Sequence, residues 1–145
     1  MSQLNKFVIK AVVAAAMTFL GAKYLHQLDH NAIISAAGVL STVAGILFGF
    51  VLASITVLSG FDSGKGLIGA LKKNGVLKSI IEGLFSTGAT LISACLSALI
   101  SMFAPDTLWV ELDYLLLLLS LSFLIISIVT FFFSWKDFST IISYL

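Results

Sequence analysis

Four long apolar stretches, joined by short polar connections, occupy most of this chain. They run over about residues 7–25, 33–58, 80–103 and 108–135. Roughly 20 mainly apolar residues are needed to cross about 30 Å of hydrocarbon as a helix, and each stretch is near or above that length. None alternates with the two-residue period of a barrel strand, and a helix satisfies its own backbone groups in lipid. The second stretch carries no charge. The first has Lys10 near its start, the third has Glu82, and the fourth has Glu111 and Asp113.

Composition agrees with this pattern. The chain of 145 residues is 59% hydrophobic and 10% charged, with a mean hydropathy of +1.12. Soluble domains carry about 25% charged residues, and a soluble chain of this composition would expose aggregating apolar patches. The predicted fold is therefore an all-α integral membrane domain over residues 1–145. It has four transmembrane helices in a bundle and a short amphipathic cytosolic segment between the second and third. Lys6 and Lys10 before an apolar run ending at Gly21-Ala22 also suit a secretory signal. Leu20 fits the required small position poorly, so the stretch counts as a span.

Lysines set the expected orientation. With four spans, Lys6, Lys10, Lys65, Lys72, Lys73, Lys78 and Lys136 fall on one side and only Lys23 on the other. Positive residues favour the cytoplasm. Both termini and the 59–78 connection are thus expected in the cytoplasm. Tyr114 and Trp135 are spaced to anchor the two faces of the bilayer, about 32 Å apart along a helix. Pro105 would end the third span and Asp106 would cap the fourth. The tail from Phe138 has helical apolar spacing, as a continuation of the last helix or a segment along the inner surface.

The connection "SGFDSGKGLIGALKKNG", Ser59–Gly75, superficially suggests a phosphate loop. A P-loop needs four residues before Gly-Lys and then Ser or Thr. Here three residues separate Gly60 from Gly64, and Gly66 follows Lys65. The nucleotide reading is rejected. Leu67, Ile68 and Leu71 instead share a face, with Lys65, Lys72, Lys73 and Lys78 towards water. This segment suits the membrane surface and anionic headgroups, or a cytosolic protein partner.

Small residues set the expected packing. Ala37, Ser41, Gly45, Gly49 and Ala53 make a four-spaced ridge on the second span, and Ala89, Ser93, Ser97 and Ser101 make another on the third. Such ridges bring helices into close contact in lipid. Their abundance predicts that the second and third spans form the packed centre, that the fourth faces lipid on most sides, and that the chain self-associates. Ser120, Ser127 and Ser134 are seven apart and mark one narrow face of the fourth span. If subunits ringed an axis, Ser93, Ser97 and Ser101 could line it.

Chemistry-bearing residues are few. Glu82 is an acid near membrane depth, with Lys78 or Lys10 as its expected partner. His26, Asp29 and His30 form an outer cluster with too few ligands for a structural metal site. Cys95 is expected to act as a small apolar residue. No catalytic constellation or cofactor fingerprint appears. The basic residues are all lysine, so the forked recognition of phosphates that arginine gives is absent. An enzyme, a cofactor and direct nucleic-acid binding are not expected.

The layout, together with "AGILFGFVLASITVL" at Ala44–Leu58 running into the basic connection, resembles small four-span bacterial membrane proteins of phage-exclusion and phage-defence systems. These include RexB-like proteins and the membrane subunit of Kiwa-type systems. The resemblance implies a membrane sensor that recruits a cytosolic effector, or a depolarising channel. The reading adopted from the sequence is a non-enzymatic oligomeric sensor or scaffold acting through residues 59–78. The alternative is a pore-forming effector built on the second and third spans.

Overall fold

The computed structural model describes residues 3–60, 67–104 and 112–143. Its elements are all helices: α1 (Gln3–Tyr24), α2 (His30–Gly60), α3 (Leu67–Lys73), α4 (Val76–Phe103) and α5 (Leu112–Ser143). Four of them, α1, α2, α4 and α5, are long and apolar enough to cross a membrane. They run antiparallel in chain order. The start of α1, the end of α2, the start of α4 and the end of α5 therefore share one end, which carries most of the described lysines. α3 stands apart from α4 because Gly75 takes φ +72°. That left-handed conformation is accessible to glycine without a Cβ clash. α5 continues unbroken past Trp135 to Ser143, so the tail extends the last helix. The expected roles of Pro105 and Asp106, and the position of Lys65, lie outside the described residues.

The bundle is organised around α4 and α5. α4 packs extensively on both α5 and α2, while α1 lies against α5 and α4. α1 and α2 make no close backbone approach to each other among the described residues. The cross-section is thus a rhombus whose short diagonal is the α4–α5 contact. Away from the lysine-rich end, the α1–α2 connection, α2 and α5 surround an apolar cavity of about 650 Å³, lined in part by Leu25, Val39, Leu40, Leu118 and Leu121.

This arrangement corrects the expected place of the fourth span. Its helix does not face lipid on most sides: Tyr114, Leu117, Leu118, Ser120, Ser122, Phe123, Leu124 and Ser127 are all buried. Leucine richness alone does not assign a helix to lipid, because the hydroxyl-bearing stripe decides which face is held. Tyr114 is also a packing residue: it is buried, and its hydroxyl donates to the His26 carbonyl at 3.2 Å. Trp135 is exposed and packs on Phe131 with ring centroids 6.2 Å apart.

Seven-residue spacing governs the contacts. On α2 the buried line is Ala37, Ala44, Val51 and Leu58. Ala44, Val51 and Leu58 share a cluster with Leu84, Leu91 and Ala94 of α4. Ile33 and Ala37 join Ala98, Tyr114 and Leu117. A 3.5-residue apolar period keeps one face on its partner along a left-handed pair. The four-spaced ridge has a different period and drifts off that face. Ala37 is buried and Ser41 half-buried, but Gly45, Gly49 and Ala53 are exposed.

The two kinds of glycine give a direct prediction. A Cβ on Gly88 would sit 3.4 Å from Phe48 and 3.5 Å from Val51, whereas one on Gly45 would meet nothing within 4 Å. Gly88→Leu should lower the thermal unfolding midpoint of the purified protein, because overpacking costs about 1–3 kcal/mol. Gly45→Leu should leave that midpoint unchanged within a degree or two. Circular dichroism melts in one detergent compare the two.

Candidate functional site: a polar seam between α4 and α5

Hydroxyls line the α4–α5 contact from end to end. Thr87, Ala94 and Ser101 recur at seven-residue spacing on α4, as do Asp113, Ser120, Ser127 and Ser134 on α5. The antiparallel helices bring these series into register. Ser101 Oγ donates to the Asp113 carbonyl at 2.7 Å. Ser120 Oγ donates to the Ala94 carbonyl at 2.7 Å. Ser127 Oγ lies 2.6 Å from Thr90 Oγ1 and donates to it, with the Phe123 carbonyl as a second acceptor at 2.7 Å. Thr90 passes its own proton to the Thr87 carbonyl at 2.8 Å. Thr87 Oγ1 is 3.4 Å from Thr130 Oγ1. Ser101, Ser120, Ser127 and Thr90 have no exposed surface.

The seam is held by hydrogen bonds that water cannot replace in hydrocarbon. The Ser101, Ser120, Ser127 and Thr90 hydroxyls each donate to an oxygen of the same or the facing helix. The chemical capacity of the seam is cohesion. A further link, Thr18 Oγ1 to Ser122 Oγ at 3.3 Å, ties α1 to α5.

The end opposite the lysine-rich one is closed by a small knot. His30 Nδ1 at the start of α2 lies 3.1 Å from Asp113 Oδ2 at the start of α5. The other carboxylate oxygen accepts from the Tyr114 backbone N–H at 2.7 Å. A carboxylate in the first turn is favoured by the positive end of a helix. His26 and His30 therefore serve α5 through different groups, one by its carbonyl and one by its ring, and do not converge as ligands.

At the lysine-rich end α1 brings a cation to the seam. Lys10 Nζ lies 3.5 Å from Thr87 Oγ1, which donates in turn to the Gly83 carbonyl at 3.0 Å. Glu82 is half-buried on α4 and forms no ion pair with Lys10 or Lys78 among the described residues. The expected carboxylate partner is thus replaced by a threonine hydroxyl. Ser86, one turn beyond Glu82, is buried and its hydroxyl has no hydrogen-bond partner. The other buried serines of the bundle bond to their own helix or across the seam. Spare hydrogen-bonding capacity is concentrated here.

The remaining sequence-expected residues are dispersed. Ser93 and Ser97 are half-buried, and their hydroxyls return to the Ala89 and Ser93 carbonyls at 2.9 and 2.8 Å. Ser41 does the same with Gly38 at 3.0 Å. Lys73 ends α3 and Lys78 lies in the first turn of α4, both exposed. Lys72 belongs to α3. Cys95 is a half-buried free thiol packed against the main cluster. Thr87, Thr90 and the Lys10 contact were not singled out from sequence. For Thr87 the signal is the seven-residue spacing it shares with Ser101, matched by that of Ser120, Ser127 and Ser134 on the next span.

No family model matches this chain, and neither a curated protein nor a solved structure does.

The seam is testable by a double-mutant cycle. Thr90→Val and Ser127→Ala should each destabilise the bundle, and the double variant should cost less than the sum of the two. The coupling expected for a hydrogen bond between membrane helices is about 0.6 kcal/mol, with an upper range near about 1.7. Unfolding in mixed micelles measures it.

Proposed function

We propose that this is a non-enzymatic multi-pass protein of a bacterial inner membrane that self-associates and works as a sensor or scaffold. Both termini and the 59–78 segment lie in the cytoplasm, and Lys65, Lys72, Lys73 and Lys78 recruit a cytosolic partner. Antiviral defence is the setting that the resemblance to phage-defence membrane proteins suggests.

The observation that carries self-association is the division of labour on α2. Its heptad line, Ala37 to Leu58, is consumed by the chain's own core. Its glycine ridge is not: Gly45 and Gly49 are exposed, with nothing within 4 Å of a Cβ at either. Glycines in lipid gain little unless another backbone approaches them, and small-xxx-small ridges are the usual surface for that. A second copy in a symmetric pair or ring satisfies the ridge. The exposed Lys73 and Lys78 beside α3 support a docking role for the connection, and the seven-to-one lysine bias supports its cytoplasmic side.

The test combines mass and conductance on one purified sample. Gly45→Leu with Gly49→Leu should reduce the particle mass in nanodiscs to that of the monomer while leaving the melt intact. The wild-type oligomer should be silent in planar bilayers with and without applied voltage. Unchanged mass in the double variant removes the ridge from the interface. Discrete current steps from the wild type favour the pore-forming alternative, with Ser93 and Ser97 turned to a shared axis.

A further inference from the structure

Lys10 is half-buried on α1, and its ammonium makes one long contact, 3.5 Å to Thr87 Oγ1. No carboxylate lies within ion-pairing distance of it among the described residues. An ammonium has three donors, and a cation at membrane depth is costly unless it is paired or reaches polar surroundings. Lys6, one turn earlier, lines the same cavity. That cavity holds about 380 Å³ and is also lined by Gly83, Ser86, Thr87, Thr130 and Ser134, with Ile9 and Phe133. Ser86 is 4% exposed, and its Oγ has no partner. Two amines, an unpartnered hydroxyl and further hydroxyls thus surround one space, and Glu82 is not among its lining residues.

The surroundings decide what kind of anion fits. Ile9 and Phe133 are 50% and 66% exposed, so the cavity is flanked by apolar side chains at the perimeter of the bundle. Ser86 also lines a second cavity of about 400 Å³, otherwise lined by Leu4, Phe7, Phe85 and Ala89. Two open, mainly apolar grooves at the lysine-rich end, one of them carrying Lys6 and Lys10, match an amphiphile with a charged head.

We infer that α1, α4 and α5 form a site for the phosphate headgroup of an anionic phospholipid in the leaflet at the lysine-rich end. Lys6 and Lys10 supply the charge and the donors to the phosphate oxygens. Acyl chains lie along Ile9 and Phe133 and into the Phe7–Phe85 space. The inference does not depend on the scaffold reading, since it concerns a single chain and its lipid.

Native mass spectrometry tests it. The full chain, delipidated in a neutral detergent, is titrated with phosphatidylglycerol or phosphatidylcholine of identical acyl chains. The first bound phosphatidylglycerol should persist at collision energies that strip phosphatidylcholine. Lys10→Gln should weaken that preference about fivefold, the effect of one lysine near anionic headgroups. Lys10→Arg should keep it, and Lys6→Gln with Lys10→Gln should abolish it. Melts of each variant without lipid confirm that the fold survives. Equal retention of both lipids, or a preference untouched in the double lysine variant, overturns the site. So does displacement of phosphatidylglycerol by millimolar inorganic phosphate, which would make the ligand a soluble anion.

Discussion

The bundle depends on a row of hydrogen bonds between α4 and α5. In lipid the hydrophobic effect gives helices no reason to prefer each other over acyl chains. Close packing and polar contacts must supply the preference. The Ser101, Ser120 and Ser127 hydroxyls do so at three successive levels of one antiparallel contact, each donating across to the facing helix at 2.6–2.7 Å. The row fixes register as well as affinity. Sliding one helix by a turn would leave several hydroxyls facing hydrocarbon without their partners.

The other helices follow from this diagonal. α2 is held by a heptad line of small and apolar residues against α4, and Gly88 allows Phe48 and Val51 to approach. α1 is held by fewer contacts, among them the Thr18–Ser122 and Lys10–Thr87 pairs. Because α1 and α2 flank the diagonal without close backbone approach among the described residues, each leaves part of its surface to lipid or to another protein. The glycine ridge of α2 and the lysine face of α1 are those parts. They point to different occupants because one offers shape without charge and the other offers charge inside a cavity.

Much of this architecture was legible in the sequence. Four spans are declared by length and hydropathy, and the helices found at Gln3–Tyr24, His30–Gly60, Val76–Phe103 and Leu112–Ser143 contain or overlap the expected stretches closely. The short helix in the connection was also foreseen. The rank of the spans was not. Counting small residues favoured α2 and α3's successor α4 as the centre, but on α2 the ridge with the most glycine is the one the monomer leaves exposed. The stripe Ser120, Ser127 and Ser134 was visible, yet it reads as a minor face of a leucine-rich helix until its partners at Thr87, Thr90, Ala94 and Ser101 are aligned antiparallel with it. Lys10 read as an orientation signal and a mate for Glu82, with no sign of the seam. Which hydroxyl it would meet depends on how α1 crosses the pair, and no local spacing encodes that.

The most direct test of this account is disulfide trapping across the seam in native membranes. On a Cys95→Ser background, cysteines replacing Thr90 and Ser127 should cross-link rapidly with mild oxidant, because the hydroxyls they replace are 2.6 Å apart. Cysteines replacing Thr90 and Ile128 should not, since Ile128 is turned to the exterior of the bundle. Efficient trapping of the second pair, or failure of the first in folded protein, would contradict a bundle built on the α4–α5 seam.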